Sequence, residues 1–122
     1  MRTLDERRQS KRFGVVEKTA FVINGNWPGT GELVDISKGG FAFHYMSDTP
    51  WPDNSADGLM VLGSHDSCLA NVPTEVVADR IINSGLGNSM IVRRRCVKFG
   101  NLTEQQQFML ECFIWVNATA QC

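Results

Sequence analysis

The chain has 122 residues, 43% of them apolar and 20% charged, with a formal net charge of −1. That composition belongs to one globular domain large enough to bury a core, and it excludes a disordered chain or a small disulfide scaffold. No apolar run approaches the roughly 20 residues of a membrane span.

The near-neutral total hides an uneven distribution. Six of the twelve Lys/Arg fall in residues 1–18, none lies between Lys38 and Arg80, and a second basic block is Arg93-Arg94-Arg95 with Lys98. Such a chain is a poor ligand for nucleic-acid polymers, whose affinity scales with the phosphates neutralised, but it suits a small anion. Seven charges in the first twelve residues leave no apolar signal-peptide core, so a cytoplasmic location is expected. Cys68, Cys96, Cys112 and Cys122 form no CxxC pair, which fits a reducing compartment.

Residues 1–12 are polar and without apolar periodicity, and read as a flexible N-terminal arm. A domain of strands and one helix is expected over 13–118. Phe13, Val15 and Ala20-Phe21-Val22-Ile23 are strand-like, with turn signals at Asn24-Gly25-Asn26 and Pro28-Gly29. Thr30 to Ile36 reads as a strand, Ser37-Lys38-Gly39-Gly40 as a turn, and Phe41 to Tyr45 as the next strand. Residues 47–56 read as a loop and Leu59 to Leu62 as a short strand. Thr74 to Asn83 and Ser89 to Phe99 form a long hairpin around the glycine-rich 84–88. Strands so spaced, without helices between them, predict a small antiparallel barrel of about six strands. Thr103-x-x-Gln106 has the form of a capping box, and behind it Met109, Cys112, Phe113 and Val116 define one apolar helical face. The expected C-terminal helix lays that face on the barrel, which makes Cys112 a buried apolar residue. Trp27, Trp51 and Trp115 are assigned to the core.

Two motifs could carry chemistry. Arg8-x-x-x-Arg12 places two guanidiniums just ahead of the first strand, where planar forks can take phosphate oxygens or the O6/N7 edge of guanine. The competing reading is a solvated basic tail. Asp35-Ile36-Ser37-Lys38-Gly39-Gly40 is a D-x-S-x-x-G at a strand–turn–strand junction. Its carboxylate could accept from guanine N1–H and N2–H, its hydroxyl could serve a phosphate or sugar, and Gly40 permits positive φ or close ligand approach. The competing reading is an ordinary hairpin turn.

The two motifs in this order resemble the PilZ domain family. Arg94-Arg95-Cys96-Val97-Lys98-Phe99, followed by Leu102-Thr103-Glu104 at a helix start, is similar to that family's last strand and terminal helix. The resemblance implies a six-stranded antiparallel barrel with a C-terminal helix, and binding of the bacterial second messenger cyclic di-GMP. It implies Arg8, Arg12, Asp35, Ser37, Gly39 and Gly40 as ligand-binding residues. Arg7, directly ahead of the first motif, joins them as a ligand-binding residue; in the family an Arg there is associated with taking the ligand as a stacked pair, so two ligands per protomer, rather than one, are an open expectation. The arm is then expected to fold over the ligand, and the signal to pass to a separate, unidentified partner protein, because no output domain is attached. The alternative is a nucleotide-independent protein-interaction adaptor of the same fold.

Other constellations are weaker. His65-x-x-Cys68 has metal-ligand spacing but no second close pair, so no metal or cofactor is expected. Gly63-Ser64-His65-Asp66 gathers catalytic residue types without the geometry of a triad, and Gly25 to Gly31 lacks the Lys-Ser/Thr of a phosphate loop. Arg93-Arg94-Arg95 alternates faces on a strand, with no role assigned to each. No enzymatic activity is expected.

Overall fold

A computed structural model describes residues 12–15, 19–23, 30–51, 59–83 and 91–121, with residues 119–121 described by their backbone alone. Among these residues the chain forms nine strands and one helix. The strands are β1 (Phe13–Val15), β2 (Phe21–Ile23), β3 (Thr30–Ile36), β4 (Gly40–Met46), β5 (Leu59–Leu62), β6 (Cys68–Val72), β7 (Thr74–Asn83), β8 (Val92–Phe99) and β9 (Ala118–Gln121). The helix, α1, is Glu104–Asn117. All pairings are antiparallel, in the order β6-β5-β2-β3-β4-β8-β7, with β1 set between β3 and β9. The sheet curls into a half-barrel carrying the helix, which is the fold class expected from the sequence. No described helix is long and apolar enough to cross a membrane.

Period-two alternation builds the core. In β4, Phe41, Phe43 and Tyr45 are buried on the inner face; on the other face Ala42 is buried as well, while His44 is half-exposed. Phe43 packs edge-on against Trp51 with ring centroids 4.9 Å apart, and Tyr45 does the same at 5.2 Å. These T-shaped contacts suit the ring quadrupoles. Trp51 is thus a core residue, as assigned, and it anchors the loop that follows β4. Trp27 lies outside the described residues, as do arm residues 1–11 and the tip of the β7–β8 hairpin.

The helix corrects two expectations. Its capping box forms as the sequence reads: Thr103 Oγ1 accepts from Gln106 N at 3.1 Å, and Gln106 Oε1 accepts from Thr103 N at 2.9 Å. Its buried residues, however, are Leu110, Phe113, Ile114 and Asn117, one position on from the stripe expected. Cys112 is exposed rather than buried, and Trp115 is 87% exposed rather than part of the core.

The cause is Asn117. Its side-chain N–H donates to Phe113 O at 2.9 Å and to Ser67 Oγ at 2.8 Å, and its Oδ1 accepts from Ser64 N at 2.7 Å. A fully satisfied amide can occupy a buried position, so this polar residue ties the last helical turn to the β5–β6 turn. The helix is apolar outward as well: Phe108, Met109, Cys112, Trp115 and Val116 all reach solvent.

Strands β6 and β9 were not expected. The turn before β6 places His65 and Asp66 at φ of 56° and 61°, and Asn71 within the strand stands at 56°. These left-handed residues break the alternation by which a strand is read. β9 has the sequence Ala-Thr-Ala-Gln and pairs with β1 through its backbone.

Candidate functional site

Strand β3 ends at Ile36, and the chain turns through Ser37, Lys38 and Gly39 before β4 begins at Gly40. Ser37 Oγ accepts from Gly39 N at 3.1 Å and from Gly40 N at 3.3 Å, while Ser37 N donates to Gly40 O at 2.8 Å. The hydroxyl is therefore the internal staple of the turn. Gly40 is required by crowding: a Cβ there would lie 2.1 Å from the carbonyl oxygen of Val97 on β8. Gly39 O accepts from Phe99 N at 2.8 Å, which fixes the turn to β8.

Beside this turn lies a cleft of about 290 Å³. Arg12, Asp35, Ser37, Gly39 and Gly40 all line it. Five of the seven residues assigned from sequence are thereby brought to one concavity; Arg7 and Arg8 lie outside the described residues. Cross-strand register supplies the floor. Asp35 stands opposite Ala42, Ala42 opposite Cys96, and Cys96 opposite Ala78. Of this row, Asp35, Ala42 and Cys96 line the cleft, and Ala42 itself is buried. Lys98 and Val77 also line the cleft.

Asp35 is buried and its Oδ2 accepts from Arg94 Nη2 at 3.1 Å. The other arm of that guanidinium, Nη1, lies 3.4 Å from His44 Nε2. Burial, and then the charge of Arg94, hold His44 below its ordinary value, against smaller opposite effects of Glu32 and Asp35. A neutral His44 can accept from Arg94.

The arginine triplet divides by face. Arg94 turns to Asp35 and His44, whereas Arg93 and Arg95 turn to Asp79 on β7, at 3.4 and 2.8 Å. Asp79 also accepts from the Tyr45 hydroxyl, which in turn accepts from Trp51 N at 2.7 Å. Arg93 donates to the carbonyls of Ser47 and Asp48 at 3.2 and 3.3 Å. This second network clamps the loop after β4 to the β7–β8 hairpin. Burial and the Asp79 hydrogen bond push the Tyr45 phenol up to about 12.

Lys98, Val77 and Cys96, which line the cleft, and Arg94 and His44, which stand beside Asp35, were not assigned to the site from sequence. The pairing register sets Lys98 opposite Gly40, Cys96 opposite Ala42 and Arg94 opposite His44. Among the described residues no three His, Cys, Asp or Glu side chains group as metal ligands.

Comparison with known proteins gives a consistent result. The profile of the PilZ domain matches residues 6–114. The PilZ domain with c-di-GMP of YcgR from Escherichia coli shares the fold at a TM-score of 0.64 and 16% identity, over 91% of each chain. MrkH, described as a c-di-GMP-dependent transcription regulatory factor, shares it at 0.63 and 16% identity, over 90% of this chain and 50% of its own. No curated protein matches the chain. With its profile matched from residue 6 to residue 114, on a curled antiparallel sheet with a C-terminal helix, the chain belongs to the PilZ domain family.

Proposed function

We propose that this domain is a cytoplasmic, bacterial receptor for cyclic di-GMP that binds its ligand without transforming it. The observation that carries the reading is the convergence of Arg12 with Asp35, Ser37, Gly39 and Gly40 on one cleft. A guanine in this cleft would meet the Asp35 carboxylate at its edge, and the phosphates would face Arg12. Arg7 and Arg8, a few residues before Arg12 in the sequence, would complete the anion site as the arm orders over one ligand or a stacked pair. Charge-assisted hydrogen bonds contribute about 1.5–3 kcal/mol each. Three or four of them, less the entropy of ordering the arm, support micromolar or tighter binding.

The signal passes to a separate protein through α1. Lys38, in the turn beside the cleft, reaches Glu111 of the helix at 3.5 Å. The outward stripe of Phe108, Cys112 and Trp115 lies on the same helix, next to Glu104 and Glu111 and with no basic residue in α1. Two copies of this face would set like charges together, so its occupant is a different protein with apolar side chains and a basic rim.

Calorimetric titration of cyclic di-GMP into the wild type, Arg8→Ala and Asp35→Ala tests the receptor reading. Saturable binding that either substitution abolishes supports it, and the stoichiometry distinguishes one ligand from a pair. A wild type that does not bind turns the assignment to the nucleotide-independent adaptor.

A further inference from the structure

A buried carboxylate needs a partner, and the one that Asp35 has comes from an unexpected place. Arg94 is 59 residues away in sequence and two strands away in the sheet, on the far side of β4. Its guanidinium reaches past Ala42 and is held at both ends, by Asp35 Oδ2 at 3.1 Å and His44 Nε2 at 3.4 Å. Asp35 lines the cleft, and the side chains of Arg94 and Asp35 are 20% and 13% exposed. The two neighbouring arginines are turned the other way and committed to Asp79. A planar fork fixed by two partners has little rotational freedom left, so it fixes the plane of the carboxylate it holds.

We propose that Arg94 is a positioning residue that sets purine specificity: it orients the Asp35 carboxylate toward a guanine N1–H and N2–H edge. Adenine offers no donor at those two positions, so an oriented acceptor there favours guanine, and one left to rotate favours it less. The inference rests on the cyclic di-GMP reading given above.

The test is titration of cyclic di-GMP and cyclic di-AMP into the wild type, Arg94→Ala and Arg94→Lys. Arg94→Ala is expected to weaken cyclic di-GMP binding by about ten- to a hundredfold, since the Asp35 carboxylate loses the partner that orients it and its charge-assisted hydrogen bonds to guanine weaken. Cyclic di-AMP binding should change little, so the ratio between the two ligands falls. Arg94→Lys keeps the charge without the fork and should recover part of the loss. Should Arg94→Ala fail to fold, Arg94→Gln carries the same comparison. Equal weakening toward both ligands would reduce Arg94 to a structural ion pair and overturn the proposal, as would wild-type affinity in Arg94→Ala. A wild type that binds neither ligand would remove the receptor reading itself, and this inference with it.

Discussion

Arg95 and Asp79 stand directly opposite each other in the β7–β8 register, 2.8 Å apart, with side chains only 6% and 11% exposed. Asp79 also accepts from the hydroxyl of Tyr45 and from a second guanidinium, that of Arg93. Removing one member of a buried ionic network leaves the others desolvated, which costs far more than an exposed pair is worth. Asp79→Ala should lower unfolding stability by about 3–5 kcal/mol. Urea denaturation measures it, and a loss under about 1 kcal/mol, the scale of a surface pair, would contradict the network's role.

Tyr45 is the only tyrosine in the chain, so its ionisation can be followed by tyrosinate absorbance without assignment. The phenol is pushed up to about 12 in the folded protein, against about 10 for an unfolded tyrosine. Between these values the unfolded chain has lost a proton that the folded one keeps. The stability this contributes is fully present below pH 10 and is lost as pH rises toward 12. The absorbance midpoint should therefore lie well above 10 or coincide with alkaline unfolding, and Tyr45→Phe should lose this part of the pH dependence.

His44 behaves in the opposite sense. Burial and Arg94 hold it below the ordinary 6.5, so as pH falls the unfolded chain takes up a proton before the folded one does. Its contribution is intact above pH 6.5 and declines below it. NMR titration should place the His44 midpoint under 6.5, and Arg94→Ala should raise it, because the second cause of the lowering is removed.

The two faces of α1 predict opposite mutational outcomes. Phe113 is 1% exposed, so Phe113→Ala should cost about 3–5 kcal/mol through lost burial and the cavity left behind. Cys112→Ala and Trp115→Ala lie on the outer surface and should stay within about 0.5 kcal/mol. Thermal or urea unfolding of the three variants checks the helix orientation. A costly Cys112→Ala would restore the stripe first read from the sequence.

How much was legible follows from where the information resides. Thr30–Ile36, Leu59–Leu62 and Thr74–Asn83 could be bounded from sequence because apolar runs there stop at turn residues. β9 carries no such signal, since its backbone rather than its side chains holds it to β1. The helical face was misread by one position because α1 is apolar on both sides and Asn117, a polar residue, is buried on the inner one. At the site, Asp35 and Gly40 could be found because a tight turn demands their spacing locally. Arg94 could not, because its role depends on the β4–β8 register, which no local pattern encodes.

The pairing of β1 with β9 brings Phe13 opposite Gln121, so the polypeptide enters and leaves the sheet at one place. The gap between paired strands is about 5 Å, narrow enough to bridge a surface loop of a host protein without prising it apart. The fold is thus suited to insertion into a host chain, with both connections made at the β1–β9 pair.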